Sequence, residues 1–412
     1  MYMENKFEKV VMVGLGYIGL PTAALMASKK FSVLGVDISQ SVVDTINNGE
    51  IHIVEPDLSG IVKDVVNKKT LRASIVPDES DVFMIAVPTP FKEGYQPDIS
   101  YVENATRAVI PFLREGNLFI IESTSPIGTT QKMRDIIFEE RPELVDKIYI
   151  SYCPERVLPG KVIYELEHND RVIGGINEAS SQITKEFYRK IVSSNLFVTN
   201  SQTAEMCKLV ENSSRDVSIA FANELSIICE RANINVWELI ELANKHPRVN
   251  ILKPGTGVGG HCIAVDPWFI VADYPKEATI IRTAREINSY KTLWVIEKIK
   301  NEILTFSQKE NRKPKVALMG LAFKPNIDDL RESPAIQVVK VLNGAGLNAD
   351  YSVVEPNISE ARENHYLNVD LYGYKEAYNS ADIAVFLVGH KEFKDLIAKE
   401  SILELDFCGI RE

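Results

Sequence analysis

The chain is poor in the residues that build disulfide frameworks and metal clusters. It has five cysteines and six histidines in 412 residues, and the cysteines are odd in number, widely scattered and without a CxxC pair. This pattern argues against a disulfide framework and a zinc knuckle. It favours a reducing compartment, so we expect a cytoplasmic protein without a metal site.

Long apolar runs and net positive charge are also missing. No apolar run is long enough to span a bilayer, and an apolar strand within about ten residues of the start argues against a signal peptide. The formal net charge is -11, whereas a phosphate-backbone partner needs clustered positive charge. We therefore expect neither a membrane protein nor a nucleic-acid-binding protein. The length suggests two or three globular domains.

A strand, a glycine turn, a helix, a second strand and an acid follow one another near the N-terminus. The apolar run 10–13 leads into the turn, and the run 32–36 ends on Asp37. Glycines make such a turn tight and admit a pyrophosphate to the helix N-terminus, and the acid can bind a ribose diol. The alternative is a glycine turn without a ligand. The pattern predicts a dinucleotide site, with NAD favoured over NADP, formed by Gly14, Gly16, Tyr17, Ile18, Gly19 and Asp37.

Two further predicted strands, 82–87 and 118–122, end in loops that carry Thr89 and Thr124. Ligands of doubly wound sheets lie outside the carboxyl ends of the strands. Both threonines are therefore predicted to contact the cofactor, with simple loop hydroxyls as the alternative.

A long helical pattern runs from Thr203 to Arg231 without proline or glycine. It would extend about 40 Å, and we interpret it as a domain connector and a dimerisation element. Lys208, Asn212 and Arg215 stand at i, i+4 and i+7 and therefore share one face. This row would suit an oxyanion and a polar substrate, whereas a solvated polar face is the alternative. A second helix is predicted to begin at Asn235, which has the spacing of a capping box.

The stretch Gly255–Cys262 is dense in glycine and ends on a cysteine, with Asp266 four residues later. Glycines let backbone approach a ligand closely. A helix that begins near Cys262 would favour the thiolate and place Asp266 on the same helical face. The alternative is a buried cysteine beside a turn. Glu155, between Pro154 and Arg156 after another strand, is a candidate general base, or one half of a surface salt bridge.

The pattern of the first domain recurs after the polar stretch Phe306–Pro314. The runs 315–322, 351–356 and 381–388 echo the first strands, but the second glycine turn is degraded, so this region should bind something other than a second dinucleotide. Lys324 and Arg331 bracket the loop that follows the turn, where diphosphate oxygens would be favourable. We predict an α/β fold of two Rossmann-like doubly wound domains joined by a long central helix. The predicted domains are 1–202 (NAD-binding), 203–305 (central, helical) and 314–412 (C-terminal, Rossmann-like).

Taken together, these segments resemble the UDP-glucose/GDP-mannose dehydrogenase family over nearly the whole chain. The resemblance is carried by GLGYIGLPTA, AVPTPF, ESTSPIGTT, YCPERVLPG, TAEMCKLVENSSRDV, PGTGVGGHCIAVDPWF and GLAFKPNIDDLRESP. Within the family, the segments 264–269 and 246–250 are similar to the branch that acts on an N-acetylmannosamine nucleotide. The tail Asp406-Phe407-Cys408-Gly409 departs from the family, which usually has a basic residue after that aspartate, so a nucleotide contact there is in doubt.

The resemblance implies oxidation of a UDP-sugar C6 hydroxyl to a carboxylate by two NAD⁺, for a surface polysaccharide, in a homodimer or higher oligomer. It implies that Cys262 is the nucleophile that carries a thiohemiacetal and then a thioester. Lys208 and Asn212 would stabilise the oxyanion, Asp266 would order a water and handle the first proton, and Glu155 would assist thioester hydrolysis on a water positioned by Thr124. Arg331 would reach the substrate or cofactor diphosphate, across a subunit boundary in one interpretation. The substrate residues implied are Arg156, Val157, Lys208, Asn212, Arg215, His246, Arg248, Gly259, Lys324 and Arg331.

Other functions stay open on the sequence. An N-acetylglucosamine or glucose nucleotide could replace the mannosamine substrate, because the sequence does not show how the sugar C2 configuration is recognised. A hydroxyacid dehydrogenase with a single oxidation would use Lys208 and Asn212 but would not need Cys262. An inert nucleotide-sugar sensor is the alternative from a different class, and the presence of Lys208, Cys262 and Asp266 together argues against it.

Overall fold

The structure, a computed structural model, describes residues 7–53, 55–157, 160–260, 262–358 and 369–412. The chain divides into two compact units, Met1–Glu211 and Asn212–Glu412. The three domain boundaries expected from the sequence stay a prediction. Three residues of the motifs above, Leu158, Pro159 and His261, lie outside the described residues.

The first unit is built on an eight-stranded sheet. Its strands are β1 (Lys9–Val13), β2 (Ser32–Val36), β3 (Leu71–Ser74), β4 (Val82–Ile85), β5 (Leu118–Ile121), β6 (Tyr149–Tyr152), β7 (Arg171–Gly175) and β8 (Leu196–Asn200). They lie in the order β3-β2-β1-β4-β5-β6-β7-β8, and the pairs are parallel except β6 with β7. The first six strands have the doubly wound order of a dinucleotide-binding domain.

Both faces of this sheet are buried, as its apolar strands require. Along β1, Val10 and Met12 belong to one core cluster, whereas Val11 and Val13 belong to another. Successive side chains of a strand point to opposite faces, so helices must cover both. The covering helices are α1 (Gly19–Ser28), α2 (Gln40–Asn47), α3 (Leu58–Asn67), α4 (Ser100–Val109), α5 (Thr129–Glu140), α6 (Val162–His168) and α7 (Glu178–Tyr188), with short 3₁₀ helices at Glu93–Tyr95, Ile110–Phe112 and Pro142–Leu144.

The predicted long helix is confirmed as α8, Ser201–Ala232, which has 32 residues. The division between the two units falls inside it. The second unit continues with α9 (Val236–Ala243), α10 (Asp266–Asp273), α11 (Thr279–Glu310), β9 (Lys315–Met319), α12 (Pro334–Gly344), β10 (Asp350–Val354), α13 (Tyr374–Ser380), β11 (Ile383–Phe386), a 3₁₀ helix (Lys391–Asp395) and β12 (Leu403–Asp406). Its four strands are parallel in the order β10-β9-β11-β12.

The helix α11 is also 32 residues long and was not predicted. It runs through most of the polar stretch interpreted as a boundary, because it ends only at Glu310, where Asn311 adopts a left-handed φ of 51°. Its buried residues Val295, Ile296, Ile299 and Ile303 belong to the same core cluster as β9 and β11. This helix therefore forms part of the hydrophobic core of the second unit.

A buried polar seam joins α8 to α11 within the second unit. Arg285 pairs with Asp216 at 2.7 Å, and Asn288 donates to the same carboxylate at 2.7 Å. One turn further on, Lys291 Nζ donates to Ser226 Oγ at 2.7 Å. Burial lowers the pKa of Lys291 to about 7, because desolvation disfavours the ammonium ion.

The predicted fold class is confirmed: the chain is α/β, with two doubly wound sheets that are parallel except at the β6–β7 pair, and with a long helix that leads from one unit into the other. Among the helices of the described residues, none combines the length and the apolar character that a bilayer crossing needs.

Candidate active site

The first glycine turn has two glycines that the fold itself requires. Gly14 has a φ of +93°, and a Cβ there would lie 2.5 Å from Ala86 O. A Cβ on Gly19 would lie 1.8 Å from Gly14 O, so only glycine lets α1 start so close to the turn. Gly14 N–H donates to Val36 O at 2.8 Å, which ties the turn to the end of β2.

The same turn fits the dinucleotide predicted from the sequence. A Cβ on the exposed Gly16 would meet no described atom within 4 Å, so the packing of the protein does not demand glycine there, whereas a closely approaching ligand would. Within the described residues no side chain caps α1, and its first turn contains no acid. Its N–H groups, beside the exposed Tyr17 and half-buried Ile18, can therefore receive a pyrophosphate. Asp37 is half-buried, and its carboxylate accepts from Leu15 N at 3.1 Å.

The loops after β4 and β5 are tied to each other. Thr89 and Thr124 are both half-buried in these loops, as expected for residues at the carboxyl ends of strands. Ser123 Oγ donates to Val87 O at 2.8 Å, so one loop holds the other. Their contact with a cofactor stays a prediction.

A buried glutamate, Glu205 of α8, fixes the next part of this region and was missed by the sequence analysis. Its carboxylate accepts from Gly128 N at 2.6 Å, from Thr130 N at 2.7 Å and from Thr130 Oγ1 at 2.6 Å. It therefore caps the N-terminus of α5 from another element. Because Lys208 lies one turn later on α8, this contact also sets the position of Lys208 relative to the loop of Thr124.

Glu155 is buried rather than part of a surface salt bridge, so that alternative is wrong. It is 7% exposed, and its Oε2 lies 2.8 Å from Arg171 Nη2, a residue that is 4% exposed. The neighbouring Arg156 is half-buried, pairs with Glu211 at 2.5 Å and donates to Asp170 O. Arg156 and Glu211 line a cavity of about 490 Å³. Val157, the next predicted substrate residue, is half-buried.

The cysteine loop forms a turn, and the helix begins later than expected. The N–H groups of Val265 and Asp266 donate to Cys262 O at 3.1 and 2.8 Å, and α10 starts only at Asp266. The proline at position 267 explains this start, because proline favours the first helical turn. Cys262 is exposed, so the alternative of a buried cysteine is wrong. The i,i+4 backbone bond still links Cys262 to Asp266.

The glycines of this loop allow close packing against a loop of the same unit. A Cβ on Gly259 would lie 2.5 Å from Glu332 O and 2.8 Å from Phe323 Cβ, and one on Gly257 would lie 2.3 Å from Thr292 Oγ1. Gly260 N–H donates to Arg331 O at 3.2 Å. From the sequence, we expect these glycines to let the backbone approach a ligand closely. In the structure, the space that they leave is filled by the chain itself.

Three of the predicted catalytic residues come together in the second unit. Asn212 Nδ2 donates to Asp266 Oδ2 at 2.6 Å. Asp266 is buried, and the turn that begins at Cys262 fixes its position, because Asp266 N–H donates to Cys262 O. Lys208 is half-buried one turn before Asn212 on α8, and Arg215 is exposed one turn after it. The helix thus carries the predicted row on one face, with Asn212 fixed by Asp266.

The remaining predicted substrate residues lie on the surface of the second unit. His246 and Arg248 are exposed, and Arg248 N–H donates to His246 Nδ1 at 3.3 Å. Lys324 is exposed after the second glycine turn. Arg331 forms a two-pronged ion pair with Asp329, with Nε–Oδ1 at 2.9 Å and Nη2–Oδ2 at 2.6 Å.

The three models of the UDP-glucose/GDP-mannose dehydrogenase family match this chain in order. The NAD binding domain matches residues 8–192, the central domain 202–290 and the UDP binding domain 317–405. The UDP-N-acetyl-D-mannosamine dehydrogenase of Escherichia coli K12 is 54% identical over 94% of this chain and 95% of its own length. An NDP-N-acetyl-D-galactosaminuronic acid dehydrogenase of Ralstonia nicotianae is 50% identical over 96% of this chain and 93% of its own length.

A solved structure gives the same picture. The UDP-N-acetyl-mannosamine dehydrogenase of Staphylococcus aureus superposes with a TM-score of 0.86 at 40% identity, covering 98% of this chain and 99% of its own. The similarity therefore extends over nearly the whole chain and includes both units.

Proposed function

Because the chain belongs to the UDP-glucose/GDP-mannose dehydrogenase family, we propose that it oxidises the C6 hydroxyl of UDP-N-acetyl-D-mannosamine to a carboxylate with NAD⁺. The observation that carries this proposal is the near full-length similarity to the E. coli enzyme, together with the linked residues Asn212, Asp266 and Cys262. The product would be the UDP-linked N-acetylmannosaminuronate, a building block for a surface polysaccharide.

The first unit would hold the cofactor. Gly14, Gly16 and Gly19 admit the pyrophosphate to the N-terminus of α1, and Asp37 binds the ribose diol. Thr89 and Thr124 would contact the cofactor from the strand-end loops. When bound, NAD⁺ supplies a hydride acceptor for each of the two oxidations.

Cys262 would make the second oxidation feasible. An aldehyde at C6 has no good hydride to give, but the thiolate of Cys262 adds to it and forms a thiohemiacetal, whose carbon can lose a hydride. The result is a thioester on Cys262. Asp266 would take the first proton and order a water, and its bond to Asn212 supports a shared role.

The oxyanion of the thiohemiacetal needs donors that are already in place. We assign Lys208 and Asn212 to this role, because an ammonium and an amide on adjacent turns of a rigid helix are preorganised. Glu155 would then accept a proton from the water that attacks the thioester, with Thr124 positioning that water. The other proposed substrate contacts are Arg156, Val157, Arg215, His246, Arg248, Gly259, Lys324 and Arg331.

We also propose a cytoplasmic homodimer, in keeping with the scattered cysteines and the long helix. Phe221 and Ile228 of α8 are 51% and 55% exposed and stand seven residues apart, so they share a face. Exposed large apolar residues on one face of a helix suit contact with a second copy. Size-exclusion chromatography with light scattering tests this, and a monomeric mass at micromolar concentration would exclude it.

The proposal is tested by a panel of UDP-sugars that differ at C2 and C4, read by the absorbance of reduced nicotinamide. We expect two NADH for each N-acetylmannosamine nucleotide. One NADH per sugar would indicate a single oxidation, and none would leave a nucleotide-sugar sensor. Cys262→Ser should bind the nucleotide sugar but form no carboxylate, and normal turnover of this variant would refute the nucleophile assignment.

One specific observation favours a second candidate substrate. A relative at 50% identity is named for a galactosamine-derived sugar rather than a mannosamine-derived one. An epimeric N-acetylhexosamine nucleotide, including the N-acetylglucosamine form considered above, is therefore the second candidate. It would replace the first if its kcat/KM in the panel exceeded that of the mannosamine nucleotide.

A further inference from the structure

Glu155 belongs to a cluster of buried charged and polar groups in the first unit. It consists of Glu122, which follows β5, Arg171 at the start of β7, Tyr188 at the end of α7, and Glu155 itself; we call it the Arg171 cluster. The exposed fractions are 3% for Glu122, 4% for Arg171, 0% for Tyr188 and 7% for Glu155. Apart from Glu155, none of these residues was singled out from the sequence.

Arg171 is held in one orientation by contacts on several sides. Its Nη2 lies 2.8 Å from Glu155 Oε2 and donates to Leu166 O at 3.1 Å, and its Nη1 lies 3.8 Å from Glu122 Oε1. The guanidinium carbon stands 4.8 Å from the centre of the Tyr188 ring. Tyr188 OH donates to Glu122 Oε1 at 2.7 Å. The cation is therefore fixed, and its closest carboxylate oxygen belongs to Glu155.

The carboxylate of Glu155 is fixed on both oxygens. Its Oε1 accepts from Arg156 N at 2.7 Å, and its Oε2 faces Arg171. The contact with Arg171 is a charge pair rather than an aligned hydrogen bond, because Oε2 has no hydrogen-bond donor among the described residues. This oxygen is oriented by the cation and still has lone pairs available for a proton.

The cluster contains two carboxyl groups and one guanidinium. Burial raises the pKa of Glu122 to about 7, the Glu155 charge adds to this rise, and Arg171 and Tyr188 only partly oppose it. Glu122 Oε2 also finds no hydrogen-bond donor among the described residues, which penalises an ionised carboxylate more than a neutral one. Glu122 is therefore a carboxyl that readily carries a proton, and Arg171 lies closer to Glu155 Oε2, at 2.8 Å, than to Glu122 Oε1, at 3.8 Å.

We propose that Arg171, supported by Glu122 and Tyr188, is the positioning residue that orients the Glu155 carboxylate for hydrolysis of the thioester on Cys262. The inference rests on the function proposed above. In this step water oxygen bonds to the thioester carbon, the C–S bond breaks, and Glu155 takes the proton of the water. The products are the carboxylic acid and the Cys262 thiolate; the acid releases its proton to solvent and becomes the carboxylate, and the proton on Glu155 leaves to the thiolate or to solvent.

A purely structural role is the competing explanation, and a buried charged pair is weak evidence for it. Taking a guanidinium and two carboxyl groups out of water is costly, and apolar residues of similar volume usually stabilise a core at least as well. The chain offers a control of the same kind in the second unit, where Arg285 pairs with Asp216 at 2.7 Å and both side chains are buried. Glu155 belongs to the first unit.

The test separates thioester formation from thioester hydrolysis in the full-length protein. Single-turnover reactions with UDP-N-acetyl-D-mannosamine and excess NAD⁺ are stopped at intervals, and the intact mass of the protein reports the acyl adduct on Cys262. We compare Arg171→Lys and Tyr188→Phe with Glu155→Gln as the reference and Arg285→Lys as the matched control. Melting temperature and NAD⁺ affinity report whether each variant is folded.

For Arg171→Lys we expect hydrolysis to slow about tenfold to hundredfold, because a small misplacement of a catalytic group has effects of that size. The burst of NADH should persist, the adduct should accumulate, and hydroxylamine, which attacks thioesters without a base, should restore turnover. Tyr188→Phe removes only a hydroxyl and should accumulate a smaller fraction of the same adduct. Arg285→Lys should accumulate none.

The outcomes distinguish the inference from the function on which it rests. If Glu155→Gln builds up the adduct but neither Arg171→Lys nor Tyr188→Phe does, the inference about Arg171 is wrong and the proposed function stands. If Glu155→Gln turns over without adduct, Glu155 is not the base and the role proposed for it is wrong. If Arg171→Lys only loses burst amplitude and melting temperature, as Arg285→Lys would, the cluster is structural.

Discussion

The two glycine turns of the chain share a backbone design but differ in what they hold. Gly14 N–H donates to Val36 O at 2.8 Å, and Gly320 N–H donates to Val354 O at 2.8 Å. Both glycines have positive φ, +93° and +97°. The acid after the second strand also repeats, because Leu15 N–H donates to Asp37, and the N–H of the residue after Gly320 donates to Glu355 at 2.8 Å.

The turns diverge immediately after the glycine. In the first unit α1 starts at Gly19, so its N-terminus faces the turn, whereas in the second unit α12 starts only at Pro334. The loop in between packs against the cysteine loop. Glu355 is buried, and its Oε2 lies 3.0 Å from Nε2 of the buried His390. Although desolvation opposes it, His390 and the backbone donors lower the pKa of this carboxyl.

The comparison shows how one turn can serve two purposes. We propose that the half-buried Asp37 after β2 binds the ribose diol, whereas Glu355 after β10 already has partners within the protein. His390 Nδ1 accepts from Asn326 N at 3.0 Å, so Glu355 and His390 together hold the loop that carries Lys324 and Arg331. The second turn has thus become a structural anchor for that loop.

The largest effect on stability should come from substituting Glu355, in contrast to Asp37. Glu355→Ala leaves His390 and the buried N–H groups of Leu321 and Ala322 without an acceptor, and we expect a loss of about 3–5 kcal/mol in the free energy of unfolding, measured in urea. Asp37→Ala should change stability by less than about 1 kcal/mol but weaken NAD⁺ binding at least about tenfold. A loss of NAD⁺ affinity in Glu355→Ala with normal stability would reverse this distinction.

Substitutions of the turn glycines should also separate effects on stability from effects on NAD⁺ affinity. Gly14→Ala and Gly320→Ala both force a Cβ into backbone or side-chain atoms at positive φ, so each should destabilise by about 1–3 kcal/mol. Gly16→Ala has open space and should keep its melting temperature while NAD⁺ affinity, measured by calorimetry, falls about tenfold or more. Unchanged affinity in Gly16→Ala would mean that no ligand approaches this backbone.

Glu122 in the first unit and Lys291 in the second should make opposite contributions to the pH dependence of stability. The folded-state pKa of Glu122 is raised from 4.5 to about 7, so the folded protein binds the extra proton and stability falls as pH rises from 4.5 to 7. The folded-state pKa of Lys291 is lowered from 10.5 to about 7, so the unfolded chain binds the extra proton and stability rises from pH 7 to 10.5.

Each group contributes a slope of at most about 1.4 kcal/mol per pH unit, seen in urea midpoints across pH. Glu122→Gln should remove the fall in the acidic window and leave the alkaline rise. Lys291→Met should do the converse. If the slope in either pH window persists after the corresponding substitution, another group binds the proton in that window.

The smallest effect concerns helix capping. The N-terminus of α9 is capped by Asn235, whose Oδ1 accepts from Trp237 N at 2.9 Å, whereas no described side chain caps α1. Asn235→Ala should cost about 1 kcal/mol in unfolding free energy and leave NAD⁺ affinity unchanged. A matched Thr22→Ala in α1 removes no cap, and an equal loss in both variants would contradict the capping interpretation.

Local patterns were enough to predict much of the fold. The bounds of β2 and α8 and the cap at Asn235 agree closely with the sequence analysis, because strands buried on both faces and long uninterrupted helices leave clear signals. The length of α11 was also readable, since no proline or glycine lies between Thr279 and Glu310. It was missed because the polar residues at its end were interpreted as a linker.

The features that the sequence did not predict depend on contacts between residues that are distant in the chain. The link between Glu122 and Arg171 joins residues far apart in the chain, and nothing in their local patterns indicates a shared partner. The contact of Glu205 with the start of α5 is hidden for the same reason. The cysteine itself was found because a dense glycine loop marks a special backbone, although the reason for the glycines proved to be different.

The exposure of Cys262 has a consequence for chemical biology. All five cysteines lie within the described residues, and Cys262 alone is exposed; Cys153 and Cys229 are buried, and Cys207 and Cys408 are half-buried. Burial raises the pKa of Cys153 to about 12 and that of Cys408 well above its usual range, which keeps both sulfurs in the inert thiol form. An electrophilic warhead or a peroxide therefore meets Cys262 as the most exposed of the five thiols, which makes this position a handle for covalent inhibitors.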